Sequence, residues 1–342
     1  MHQRPKPSLK GRGKTRRGSR GSWCPLVGPP HERDTEMLLL WFAGHAVASS
    51  TLTLLNKQIA VTTDFPWVVI LLQCIGSVFF AALLDVPLGT IRRVERAHLP
   101  GALLISLLFT TCLVSSISGL NRVHVPMAVV GRNLTPFITA VLELTFMQTP
   151  LSSRTLLSLV VGLLGAGVYL AGDANSSIVG SLFVLLNACC ISVTSTVEKF
   201  VSSQKQQSPL GLCLLRNALA VPFIGLILLG DLENSSKSLQ AMLDAGPRLW
   251  LQMLLTSAFG ALTGLCLFQL QSMVTATTVQ VAALCYKLIS VLLSLLLFPA
   301  SLRDVGWLAA LGYGLSTLSA AIYSFKPKNS AKPPTSPLEK KD

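Results

Sequence analysis

Between Met37 and Phe325 the chain is a succession of apolar stretches, each close to the length a helix needs to cross a bilayer. Ten can be drawn: Leu38 to Lys57, Phe65 to Leu84, Pro100 to Gly119, Val125 to Met147, Leu156 to Leu170, Ile178 to Val197, Leu210 to Leu229, Leu249 to Leu270, Ala276 to Phe298 and Val305 to Phe325. Only 13% of the residues are charged and mean hydropathy is +0.58, where soluble proteins carry about 25% charge. The sequence therefore predicts an all-α membrane protein of ten transmembrane helices.

The formal net charge of +13 does not point to nucleic acid, because nine of the 28 basic residues precede Met37 and five follow Phe325. Such tails flank membranes or carry addresses, and no aromatic and basic platform accompanies them. Residues 1–36 and 326–342 are expected to be disordered. With both termini cytosolic, twenty basic residues fall on the cytosolic side and five on the other, and the Asn175 and Asn234 sequons face the lumen. Seven of the eight cysteines lie within apolar stretches, and no Cys/His spacing suggests a metal. No cofactor is expected. The Gly162 to Gly167 run, GLLGAG, follows no strand and reads as close helix packing.

The chain also matches itself. VASSTLTLLNKQI, Val47 to Ile59, aligns with CCISVTSTVEKFV, Cys189 to Val201, pairing Lys57 with Lys199. The segment around Arg132 aligns with that around Lys287. Five spans per half is an odd number, so the two repeats, 37–174 and 175–325, must be inverted. Inverted repeats are the architecture of alternating-access carriers, with substrate held near mid-membrane.

Charge inside the spans points the same way. The fourth stretch, VPMAVVGRNLTPFITAVLELTFM, carries Arg132 and Glu143, which share one face with Pro136 if it is a single helix. Two readings stay open: an ion pair that only orders the bundle, or an anion site. Arg132, Arg216 and Lys287 stand against Glu143 as the clearly intramembrane acid, so the local balance is positive. An arginine fork and a lysine point charge suit a diphosphate. Asn133, Asn217, Tyr286 and Thr278 supply donors and acceptors for a base and a sugar, while Lys57, Glu143 and Lys199 read as gating or structural charges.

At these residues the chain resembles the nucleotide-sugar transporters of the drug/metabolite transporter superfamily, in particular the GDP-mannose group. Asn56-Lys57 and Arg132-Asn133-Leu134-Thr135 with Glu143 match family segments. LLRNALAVP, Leu214 to Pro222, and AALCYK, Ala282 to Lys287, occupy the places of the base-binding and phosphate-binding motifs, retaining Asn217 and Lys287 but departing elsewhere. The resemblance implies antiport of a cytosolic nucleotide sugar, GDP-mannose or a related GDP- or UDP-sugar, into the Golgi lumen against a nucleoside monophosphate. The alternative is a sugar-phosphate/phosphate translocator of the same fold in a plastid envelope, and an endoplasmic reticulum location or a homodimer also stays open. A multipass enzyme is disfavoured, because the aspartates are scattered singly and the five histidines show no metal spacing.

Overall fold

The computed structural model describes residues 32–62, 66–92, 99–120, 131–148, 151–172, 178–204, 207–284, 286 and 306–324. The remainder, including Lys287, most of the ninth stretch, Asn175 and both tails, lies outside the described residues, as does the side chain of Lys57. Among the described residues the structure is helical, without strands. The helices are α1 (Glu32–Thr62), α2 (Pro66–Leu88), α3 (Leu99–Leu120), α4 (Leu134–Phe146), α5 (Ser153–Gly172), α6 (Ile178–Ser203), α7 (Pro209–Leu229), α8 (Leu232–Leu243), α9 (Pro247–Met273) and α10 (Trp307–Ser324). A further helical segment, 276–284, precedes α10.

Six of these helices are long and apolar enough to cross a membrane. Their outer faces carry Leu40, Phe79, Leu107, Val179 and Leu226, all exposed, while Ser106, Thr110 and Asn187 are among the buried side chains. A protein folded in water would bury the first set and expose the second. Hydrocarbon around the bundle removes the penalty on the exposed apolar side chains, and interior hydroxyls bond the carbonyl four residues back, as Ser106 does to Ala102 and Thr110 to Ser106. The molecule is a multi-pass membrane protein.

The fourth stretch differs from the expected continuous span. Pro136 has no N–H to give the carbonyl of Arg132, and that carbonyl instead accepts the Thr135 N–H at 3.0 Å. Arg132 and Asn133 thus form a turn, and α4 starts only at Leu134. The loop before α9 also differs, since residues 232–243 wind into the amphipathic helix α8. Asp231 caps it by accepting the Asn234 N–H, and Met242 is fully buried against Ile59, Val68, Val69 and Met253. The sequon asparagine Asn234 sits in its first turn with Nδ2 donating to Asp231.

Packing follows a pattern. Helix α3 lies on α6 and α1 on α9; α2 lies on both α7 and α9, while α7 also meets α3; α5 pairs with α10; and α4 touches α6 and α5. Contacts from α1 to Tyr286 and from α10 to Thr278 complete the set. Exchanging α1 with α6, α2 with α7, α3 with α9, α4 with 276–284 and α5 with α10 maps these pairings onto one another. The α7–α9 and α6–α9 interfaces have no such counterpart among the larger contacts of the described residues.

Closest approach occurs between α5 and α10. A Cβ on Gly165 would lie 2.7 Å from the backbone nitrogen of Ser316 and 2.8 Å from the carbonyl of Gly312. Ser158 and Ser319 donate reciprocally to each other's carbonyls, at 2.7 and 2.6 Å. The glycine run of α5 therefore serves backbone contact between helices, as its sequence context suggests.

Candidate functional site

Because the helix is interrupted before α4, the Arg132 side chain leaves the turn sideways toward α3 and α6. Its Nε donates to Oδ1 of Asn187 at 3.2 Å, and one terminal nitrogen donates to the Ser116 hydroxyl at 2.6 Å. Asn187 is itself held, with Nδ2 donating to the Cys112 carbonyl at 2.9 Å and to the Ser115 hydroxyl at 3.0 Å. Both of its donors being committed, its oxygen is left to face the guanidinium. Among the described residues no carboxylate reaches Arg132. As a whole residue Arg132 is half-buried.

Glu143, expected as its possible ion-pair partner, lies at the other end of α4 and is occupied elsewhere. One carboxylate oxygen accepts the N–H of Ala276 at 2.7 Å; the other accepts the N–H and hydroxyl of Thr277 at 3.1 and 2.5 Å. A buried carboxylate thus caps the start of segment 276–284, where unpaired N–H groups and the helix dipole favour negative charge. On the preceding turn Lys199 Nζ donates to the Gln271 carbonyl at 2.5 Å, complementing the C-terminal end of α9. These two charges tie α4 and α6 to the α9 turn. The Thr278 hydroxyl bonds Thr275 at 2.9 Å and Tyr323 at 2.8 Å in the same region.

Arg216 has the opposite environment. It pairs with Glu198 at 2.9 Å, both buried, and its guanidinium lies 4.3 Å from the Phe109 ring centroid and 5.0 Å from that of Phe268. The other Glu198 oxygen accepts from Gln271 Nε2 at 3.0 Å. Gly264 makes room for this assembly, since a Cβ there would meet the guanidinium at 2.8 Å. Glu143 is thus not the lone buried acid that was expected: Glu198 is a second, one residue past the predicted end of the sixth span, because α6 continues to Ser203.

The remaining expected residues are dispersed around these centres. Asn217, on the next position of α7, is buried with Nδ2 donating to the Cys213 carbonyl at 2.8 Å. Asn133 is buried beside Arg132. Tyr286 is buried and its hydroxyl is hydrogen-bonded to Nδ1 of His45 on α1, the rings meeting edge to face with centroids 5.2 Å apart. Asn56 accepts from Gln73 at 2.7 Å, a contact from α1 to α2 made before α1 ends at Thr62. Sequence reasoning missed Asn187, His45 and Glu198. A signal existed for the first two: His45 and Asn187 stand at equal spacing before Lys57 and Lys199, so carrying the repeat alignment upstream pairs them.

GDP-fucose transporter 1 of Arabidopsis thaliana is 25% identical to the chain over 276 residues, 77% of this chain and 79% of the relative. A solved crystal structure superimposes with a TM-score of 0.62, covering 84% of this chain and 96% of its own, at 15% identity, a likeness that speaks to the fold alone. The family model described as the Triose-phosphate Transporter family matches residues 35–324, which takes in all of the described helices but the first three residues of α1, and each charged centre above. An apolar exterior, an interior arginine that no acid among the described residues neutralises, and the match over residues 35–324 agree: this chain belongs to the Triose-phosphate Transporter family, as a membrane transporter and not an enzyme.

Proposed function

We propose that the protein is an antiporter that carries a nucleotide sugar into the Golgi lumen in exchange for a nucleoside monophosphate. The observation that carries this is the state of Arg132: a guanidinium within the bundle, braced by neutral Asn187 and Ser116, with no carboxylate partner among the described residues. A cation left without a counter-charge in a low-dielectric interior is unfavourable until an anion arrives, and phosphate oxygens match the arginine fork. Lys287 supplies the second positive charge from the other half, with Asn133, Tyr286, Asn217 and Thr278 addressing base and sugar. Glu198 already matches the charge of Arg216, whose contribution to the site is to hold α7 and Asn217 in position.

Two inverted five-helix halves, ten spans in all, are supported by the helix pairings that persist when partners five spans apart are exchanged. Alternating access then rocks one half against the other. Among substrates, the relative named a GDP-fucose transporter favours a GDP-linked hexose, GDP-mannose or GDP-fucose, over UDP-sugars. A sugar-phosphate translocator is the second reading, favoured by the name of the family. The excess of basic residues on one side supports an orientation with both termini in the cytosol.

Purified protein in liposomes preloaded with GMP, UMP or inorganic phosphate separates these readings. Uptake of labelled GDP-mannose or GDP-fucose driven by internal GMP is the expected result. Uptake of triose phosphate driven by internal phosphate, with no response to GMP, overturns the nucleotide-sugar assignment.

A further inference from the structure

Arg132 on the fourth span is gripped from the sixth by Asn187, and Tyr286 on the ninth is gripped from the first by His45. The two gripping residues are 142 positions apart, the same offset that pairs Lys57 with Lys199 in the internal repeat. Each half therefore reaches across to the other with a buried polar side chain at the same repeat position. The receiving residue in each case belongs to, or directly adjoins, a cationic centre of the proposed site: Arg132 itself, and Tyr286 next to Lys287.

We infer that Asn187 and His45 are matched positioning residues, one per repeat, that set the orientation of the substrate-binding side chains of the opposite half. The inference rests on the reading of Arg132 and Tyr286 as substrate-binding residues. Physical chemistry favours this division of work. A guanidinium on a turn has several free torsions, and its fork discriminates phosphate geometry only if the plane is held. Asn187 can hold it because its own amide is fixed by the Cys112 carbonyl and Ser115, and it holds it without cancelling the charge because it is neutral. His45 bears on Tyr286 both through the hydrogen bond and through the edge-to-face ring contact, which fixes the phenol plane as well as its oxygen. An acid at either position would perform the same anchoring and destroy the local positive field.

The test is labelled GDP-mannose uptake into GMP-loaded proteoliposomes, with KM and kcat measured separately and thermal unfolding recorded for each variant. Asn187→Ala is expected to raise KM about tenfold with kcat within about twofold, the scale of one hydrogen bond to a charged group. Arg132→Lys, which loses the Nε donor, is expected to do the same, and the double variant to show the same rise again rather than about a hundredfold. His45→Phe and Tyr286→Phe are expected to behave as a second such pair. Asn187→Asp is the decisive charge variant: KM rises about a hundredfold while the unfolding temperature stays within a few degrees of the parent, because the carboxylate now pairs with Arg132.

Multiplicative losses in both pairs, or an Asn187→Asp variant with parental KM, overturn the inference and leave the nucleotide-sugar reading standing. Parental KM and kcat for Arg132→Ala overturn that reading itself, and the inference with it.

Discussion

Arg132 and Arg216 are both arginines inside apolar stretches, and their surroundings are opposites. Arg216 meets Glu198 at 2.9 Å between two phenylalanine rings, and the same glutamate is bonded by Gln271, so its charge is matched within the bundle although its Nε is buried without a hydrogen-bond partner. Among the described residues Arg132 meets an amide oxygen and a hydroxyl and no acid. Sequence gives the two the same standing, because each is a cation in a hydrophobic run. The difference teaches that a charged residue in a membrane span is informative only together with its partner: with an acid it orders the helices, and without one it leaves work for a ligand.

The largest effect expected from attacking this contrast is on stability at Arg216. Glu198→Leu strands a buried guanidinium and should lower unfolding free energy by about 3 to 5 kcal/mol. Adding Arg216→Met should recover most of the loss, as paired apolar replacements of buried ion pairs do. Unfolding in detergent measures both, and a single variant as stable as the parent would erase the distinction drawn above. Next comes transport at Arg132. Arg132→Ala should reduce nucleotide-sugar uptake about a hundredfold, about 2.7 kcal/mol, with the unfolding temperature little changed. A fall in stability comparable with that of Glu198→Leu would make the two arginines alike after all.

Smaller changes sharpen the comparison. Arg132→Lys keeps the charge and loses the fork, so uptake at low substrate should fall about tenfold, one decade less than for Arg132→Ala. The smallest effect belongs to Phe109→Leu, which removes a cation–π contact to Arg216. A stability loss of about 1 kcal/mol with unchanged KM is expected, read by unfolding and uptake on the same preparation. A change in KM there would bring Arg216 into the substrate site.

Parts of the candidate site were legible in the chain and parts were not, for reasons visible at single residues. Arg132 could be found because an arginine in hydrocarbon is costly enough to demand a purpose. Its release from Glu143 could not, because the spacing that puts both on one face presumes an unbroken helix, and the bond missing at Pro136 ends α4 before Arg132. Glu198 escaped because an apolar window ends at Val197, whereas α6 runs to Ser203 and buries the acid against α7 and α9. Asn187 and His45 escaped because an asparagine or histidine within a span has many local uses, and only its across-bundle partner selects one.

Hydrophobicity, charge asymmetry and the internal match are sums over many residues, and no single contact can reverse them. They are why the amino-acid sequence alone determined a helical multi-pass membrane protein and its grouping with transporters. Which cation is neutralised and which is left open depends on a few ångströms between helices distant in the chain: α6 against α7 for Arg216, and α6 against the turn before α4 for Arg132. Electrostatic interaction in a low-dielectric interior changes steeply over such distances, so that choice was made only by the tertiary structure.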